Sequence, residues 1–310
     1  MTNTTADDWS NYWRGRTAES SGAALVGAGV ESDAELSAFW QAVFSSASSE
    51  AQVLDLACGA GSALRHAADA GIRRIAGADI SSDALKALEK AVPGAITTEC
   101  SAADTPFEDG MFNYVVSQFG IEYAGLLAAT KEAARLLAPG GHFAAIVHMA
   151  GGGIAQEVSE RLKEGEAIRD TEFIPRARDV FATARRPRTE ENVISAQEAA
   201  NVFRPSEQAL GKIAAEKGGL AAHLYTGAHQ MYGKMMNYDL SDILDWLDAM
   251  QGEIDAYIGR MASMLGAAVT DEDANNALIL LQQSGCEIQP LQTFELGGKS
   301  AAWVLRAVKR

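Results

Sequence analysis

Cysteine is scarce in this sequence. Cys58, Cys100 and Cys286 are the three among 310 residues, and no two of them form a CxxC pair. A disulfide framework and a zinc knuckle are therefore excluded as the basis of the fold. Basic residues are also few, 26 Lys and Arg against 41 Asp and Glu, which gives a formal net charge of −15. Nucleic acids and anionic membrane surfaces call for a basic face, so neither is an expected partner, and a small molecule is favoured instead. No apolar run approaches the roughly 20 residues of a membrane helix, so no membrane insertion is expected. The start, MTNTTADDWSNYW, lacks the basic residues and apolar stretch of a signal peptide, and the expected location is cytoplasmic. Internal repeats and low-complexity tracts are absent too. What remains is a chain with 47% hydrophobic and 22% charged residues, long enough for one large domain or a core domain with a smaller one.

Residues 1–50 hold an aromatic-rich start (Trp9, Tyr12, Trp13), a Gly/Ala stretch and an amphipathic helix near 33–46. From 51 to 150, short apolar runs alternate with helical stretches. Strands are expected at Gln52–Ala57, Ile72–Ala78, Ala95–Glu99, Phe112–Gln118 and His142–His148. Helices follow Gly61, open at Ser81–Asp83, and run to Leu137 before a stop at Pro139-Gly140-Gly141. This rhythm implies βαβ units and a doubly wound α/β domain with a parallel sheet covered on both faces. Residues 151–270 contain no convincing strand. Within them Ile243, Leu247, Met250, Ile254, Tyr257, Met261 and Met264 recur at alternating steps of four and three. Such a seam suits an antiparallel helix pair inside an insertion, or a homodimer contact across a two-fold axis. Sheet rhythm returns after a capped helix at Thr270–Asp273, with strands at Glu287–Leu296 and Ala301–Val308. The expected organisation is a 1–50 helical lid segment, an α/β domain over 51–150 and 271–310, and a helical insertion over 151–270.

The strongest chemical signal is the run Val53-Leu-Asp55-Leu-Ala57-Cys58-Gly59-Ala60-Gly61, a strand entering a glycine-rich turn and then a helix. Glycines let backbone approach a ligand closely, and a helix N-terminus offers unpaired N–H groups. Asp79 ends the second strand, where a carboxylate can accept from both ribose hydroxyls. VLDLACGAG is similar to the first motif of class I S-adenosylmethionine-dependent methyltransferases, with Ala57 in place of that motif's first glycine. The stretch from Cys100 to Asn113 resembles the family segment that holds the adenine, with Ser101 where an acid is frequent and Asn113 where an aspartate is usual. Ala133-Ala-Arg135-Leu-Leu-Ala-Pro139-Gly140-Gly141-His142-Phe resembles the family's helix, turn and fifth strand.

This resemblance implies a seven-stranded sheet with its last strand antiparallel, the helical insertion after strand five, and S-adenosylmethionine at the carboxyl ends of the strands. It assigns Asp55, Ala57, Gly59, Gly61, Asp79, Ile80, Ser101, Ala102 and Gln118 to the cofactor, with Gly59 and Gly61 beneath the methionine part and the Ala102 N–H toward the adenine. Methyl transfer is an in-line displacement from a sulfonium, so the protein chiefly aligns the reactants and excludes water. A base is needed only for a protonated acceptor. Catalytic candidates are Glu122 and Tyr123, which follow strand four in SQFGIEY, and His148, which closes strand five. The N-terminal aromatics suit a lid over a sulfonium, and the insertion suits a cap that supplies acceptor contacts, with His223, Tyr225, His229 and Tyr232 in one helical stretch. His223 and His229 are six apart, not the i, i+4 of a helical metal pair, and no metal is expected. Arg176, Arg178, Arg185, Arg186 and Arg188 form a basic island, read as a salt-bridged face or as a receiver for a substrate anion. A nicotinamide oxidoreductase is disfavoured by Leu64 at the third glycine position of GxGxxG. A cofactor-binding protein that does not methylate stays open. The pair Gly27–Gly29 has no strand before it and is read as a loop.

Overall fold

A computed structural model describes residues 30–187 and 189–310, the side chains of residues 30–33 excepted. Trp9, Tyr12, Trp13, the Gly27–Gly29 pair and Arg188 lie outside the described residues. The chain divides into two compact units. One comprises the chain up to Val158 together with Ser263–Arg310; the other is Ser159–Ala262.

In the first unit, helix α1 (Val30–Phe44) precedes strand β1 (Gln52–Leu56), α2 (Ser62–Asp69), β2 (Arg74–Asp79), α3 (Ser82–Ala91), β3 (Ile96–Glu99), β4 (Phe112–Gln118), α4 (Leu126–Leu136) and β5 (Leu137–His148). Past the insertion come α10 (Asp271–Gln283), β6 (Cys286–Ile288), β7 (Gln292–Leu296) and β8 (Lys299–Lys309). The sheet order is β3-β2-β1-β4-β5-β8-β6, with β7 also on β8. β1 to β5 pair in parallel, and β8 runs antiparallel to β5. The order reverses between β1 and β4, which is where doubly wound sheets open a crevice at their carboxyl ends. Central strands are buried on both faces: Val53, Leu54 and Leu56 of β1, Val115 and Val116 of β4, and Phe143–Val147 of β5. This is why they read as apolar runs rather than alternating ones.

Two local departures from the sequence reading have physical causes. The strand expected at Glu287–Leu296 breaks at Pro290 into β6 and β7. Five residues from Ile288 to Gln292 face four from Ala307 to Val304, a one-residue bulge on the outer edge of β8. The sheet therefore has eight strands in seven positions. Pro139-Gly140-Gly141 does not separate helix from strand, because β5 already begins at Leu137 opposite Phe112. While β4 advances from Phe112 to Tyr114, β5 advances from Leu137 to His142, so the proline–glycine run forms a wide bulge inside the strand. Gly141 closes it, since a Cβ there would come within 2.8 Å of the Ala138 carbonyl oxygen. Helix starts are closer to expectation. The Ser81 hydroxyl accepts from the Ala84 N–H at 3.1 Å, and Thr270 with Asp273 forms a reciprocal capping box.

The second unit is wholly helical among its described residues. It holds most of α5 (Gly153–Asp170), then α6 (Phe173–Ala184), α7 (Glu190–Lys217), α8 (Gly219–Gly233) and most of α9 (Leu240–Ala267). Its core gathers Ile168, Phe173, Ile174, Phe181, Leu210 and Leu224 with Ile243, Leu247, Met250 and Ile254. Four residues of the α9 seam, Ile243, Leu247, Met250 and Ile254, are thus used inside the chain, as in the helix-pair alternative. The basic island is largely spoken for as well. Arg176 pairs with Glu172 at 2.9 Å, Arg178 with Asp248, and Arg185 donates to the carbonyls of Met235 and Tyr238.

Candidate functional site

A cavity of about 210 Å³ opens at the carboxyl ends of β1, β2 and β4. Asp55, Ala57, Cys58 and Gly59 of the first turn line it, with Asp79 and Ile80 after β2, Ser101 and Ala102 after β3, and Gln118, Phe119, Gly120 and Tyr123 after β4.

The glycine turn is held by hydrogen bonds across strands. Asp79 accepts from the Gly59 N–H through Oδ2 and from the Ser81 N–H through Oδ1, both at 2.9 Å. The Ser117 hydroxyl donates to the Leu56 carbonyl at 2.8 Å and ties the end of β4 to β1. Ala57 and Phe119 both sit at φ +54°, in the left-handed region that a Cβ disfavours. Ala57 thus adopts the conformation that glycine would take at this motif position. We expect Ala57→Gly to raise unfolding stability by about 1 kcal/mol, the left-handed penalty less the added freedom of the unfolded chain. Urea titration of both proteins checks this; equal stability would mean that the alanine is not strained. Gly120 has no such latitude, because a Cβ there would lie 2.6 Å from the Ala57 carbonyl oxygen.

Electrostatically the cavity wall is an acidic pair. Burial pushes the carboxyl of Asp55 well up from its ordinary value, and the charge of Asp79 adds to this. Asp79 is also pushed up by burial, although the N–H groups of Ser81, Gly59 and Ile80 pull the other way. Asp55 Oδ1 is buried and has no hydrogen-bond partner among the described residues. A lone buried carboxylate oxygen is costly and needs a reason. Burial likewise raises the Cys58 thiol and pushes Cys100 up to about 11, which keeps both protonated and poor nucleophiles near neutrality.

Of the cofactor residues expected from sequence, Asp55, Ala57, Gly59, Asp79, Ile80, Ser101, Ala102 and Gln118 line the cavity. Gly61 does not. It opens α2 at φ +82°, and a Cβ there would meet Leu88 Cδ1 at 2.4 Å, so its lack of a side chain makes room for α3. The catalytic candidates separate: Tyr123 lines the cavity, while Glu122 and His148 do not. Those two pair directly, with Glu122 Oε1 2.7 Å from His148 Nδ1 and accepting from the His148 main-chain N–H at 3.0 Å. The rings of Phe119 and Tyr123, which do line the cavity, lie 4.5 and 5.9 Å from the His148 ring. The dyad therefore stands one ring layer behind the wall. Its outer atoms, Glu122 Oε2 and His148 Nε2, are buried without a hydrogen-bond partner among the described residues.

Two contributions were hidden in the sequence. Trp40, fully buried on α1, donates from its indole N–H to Gln118 Oε1 at 2.5 Å, which leaves the amide nitrogen as the end of Gln118 available to the cavity. Asn113 does not reach the cavity; its Oδ1 accepts from the Gln52 N–H at 2.9 Å and fixes the start of β1.

Residues 54–145 match the family model described as a methyltransferase domain. No curated protein matches the chain. Among solved structures, an S-adenosylmethionine-dependent methyltransferase from Mesorhizobium loti is 23% identical over 33% of this chain and 48% of its own, with a TM-score of 0.31. Geranyl diphosphate C-methyltransferase from Streptomyces coelicolor A3(2), solved with Mg2+, geranyl diphosphate and S-adenosyl-L-homocysteine, is 11% identical over 100% of this chain and 99% of its own, at 0.48. A SAM-dependent methyltransferase from Thermotoga maritima is 13% identical over 98% and 100%, at 0.45. The chain spans 48–61% of the length of three solved relatives that it matches at 22–25% identity.

Proposed function

From the match of residues 54–145 to a methyltransferase domain, we propose that the α/β unit is a class I S-adenosylmethionine-dependent methyltransferase domain and that this chain methylates a small-molecule acceptor at the cavity beside Asp55 and Asp79. One observation carries the reading: a buried carboxylate lines the cavity with an oxygen that no group among the described residues satisfies. The residues fit the cofactor. A cation such as its ammonium would answer Asp55 Oδ1. Asp79 uses one lone pair of each oxygen on backbone and keeps others for ribose hydroxyls. Ile80, Ser101 and Ala102 would border the adenine. When bound, S-adenosylmethionine supplies an electrophilic methyl group on a cationic sulfur.

The chain's own work is to bind, align and exclude water. Gln118, braced by Trp40, and Tyr123 offer polar groups at the wall. Glu122 holds His148 at both its ring Nδ1 and its main-chain N–H, which fixes the orientation of the ring. We assign the dyad to positioning: it backs the Phe119 and Tyr123 rings that line the cavity.

Melting the protein with S-adenosylmethionine or with NAD tests the core of this reading. A rise with the first alone is expected; a rise with NAD alone would replace methyl transfer by hydride chemistry. For the dyad, Glu122→Gln should lower kcat about tenfold, less than the roughly hundredfold minimum of a direct base because the pair acts through the wall rings, and leave cofactor affinity within about twofold. Equal losses in both would reduce the pair to a packing brace.

A further inference from the structure

A second cavity, of about 220 Å³, lies inside the helical unit between α6, α7 and α8. Its wall is aromatic: Phe173 and Phe181 from α6, Phe203 from α7 and Tyr232 from α8. The rings are set against one another, Phe173 to Phe203 at 5.0 Å and Phe181 to Tyr232 at 5.9 Å. Ala177, Ala200 and Ala228, one from each helix, face the same space and hold it open by their small size. A helix bundle that only had to pack would fill such a space with larger side chains.

The polar rim is asymmetric. His229 and Glu207 line the cavity and are engaged with each other, Nε2 to Oε1 at 2.9 Å, while His229 Nδ1 lies 2.8 Å from the Tyr225 carbonyl oxygen. Arg204 also lines it, from an exposed position, and has no ion-pair or hydrogen-bond partner among the described residues. One cation thus stands unneutralised at the edge of an aromatic cavity, in a chain whose formal net charge is −15. Flat rings stack on aromatic walls, and a guanidinium binds a carboxylate through a planar fork.

We propose that the helical unit holds a second ligand site, between α6, α7 and α8, for a flat apolar molecule of one or two rings bearing a carboxylate or similar anionic group. A cavity of roughly 150 Å³ already admits benzene, so the space suits a ring system of this size. The site lies wholly within the helical unit and rests on nothing said of the cofactor cavity.

Calorimetry on the full chain with 1-naphthoate and its neutral counterpart 1-naphthalenemethanol tests it. Naphthoate should bind one to one with Kd below about 1 mM and about tenfold more tightly than the alcohol, the scale of one charge-assisted contact. Arg204→Gln, a change at an exposed side chain, should erase that preference and leave the alcohol unaffected. Ala200→Leu should weaken both ligands by filling the cavity. Both variants should bind S-adenosylmethionine as the unaltered chain does, and saturating S-adenosylmethionine should not displace naphthoate. No binding of naphthoate, its displacement by S-adenosylmethionine, or an unchanged preference in Arg204→Gln would each overturn the proposal.

Discussion

Replacing Asp55 with asparagine should weaken S-adenosylmethionine binding about 30- to 100-fold and at the same time make the free protein more stable. Both effects follow from one buried oxygen. In the free protein Asp55 lines the cavity with Oδ1 unsatisfied, close enough to Asp79 for the two charges to oppose each other. An isosteric neutral amide removes that opposition and the cost of a buried charge, which should add about 1 kcal/mol or more. In the complex the lost carboxylate would have met a cation, a contact of about 2–3 kcal/mol. The pH dependence has a definite sign. A carboxyl whose folded value is raised binds protons more readily in the folded state, so the free protein loses stability as pH rises from the ordinary carboxylate range through the raised value. Cofactor affinity runs the other way and falls as acid protonates Asp55. Melting curves and calorimetry across pH, for both proteins, read all of this; a variant that melts lower when free would refute the assignment of a strained carboxylate.

Glu132→Ala should destabilise the α/β unit by about 3 kcal/mol, toward the lower end of the cost of breaking a buried charge network because Arg135 is partly exposed. Glu132 is the hub that fastens the segment between β3 and β4. Its Oε1 accepts from the Thr105 N–H at 2.9 Å, from the Thr105 hydroxyl at 2.7 Å and from Arg135 at 2.6 Å. Its Oε2 accepts from Arg135 Nε at 2.8 Å, and Arg135 reaches on to Asp109 at 2.6 Å and the Phe107 carbonyl at 2.8 Å. Burial by itself would raise the Glu132 carboxyl, but the hydrogen bonds from Arg135 and Thr105 outweigh it and the group ends below its ordinary value. Its stabilisation is therefore present at neutral pH and lost as pH falls through that lowered value. Denaturant unfolding of Glu132→Ala and Glu132→Gln at neutral pH measures the effect. A loss under about 1 kcal/mol for the alanine would mean that water satisfies Arg135 and Thr105 equally well.

The sheet and the cofactor turn were legible because they depend on local order. Buried parallel strands write themselves as apolar runs, and a turn that must admit a ligand between strand and helix needs small residues at fixed spacing. The N-terminal caps at Ser81 and Thr270 are local for the same reason. What stayed hidden depends on contacts between distant residues or on backbone geometry that composition does not encode. Nothing in SQFGIEY announces that Phe119 takes φ +54°, or that Trp40, 78 positions earlier, holds Gln118. Glu122 and His148 were each visible as a candidate, but their pairing across 26 residues and their place behind the cavity wall were not. Gly61 shows a related limit. A glycine that admits a ligand and one that admits Leu88 look alike in sequence. Pro139-Gly140-Gly141 has the composition of a turn, yet Leu137 already pairs with Phe112, and the run becomes a bulge.

The order of the strands also governs how the α/β unit comes together as the chain emerges from the ribosome. β8 lies between β5 and the β6–β7 edge, yet it is the last strand in chain order. Until it is made, β5 has one edge unpaired, and β6 and β7 have no partner in the sheet. Nascent β1 to β5 must wait through the synthesis of more than a hundred intervening residues with an open edge, the kind of surface that recruits other chains. Helix contacts within Ser159–Ala262 are closer in sequence and can form during that interval. Completion of the sheet is thus a late, long-range event, and a ribosome-stalled chain ending before Lys299 should be captured by chaperones that release the finished protein.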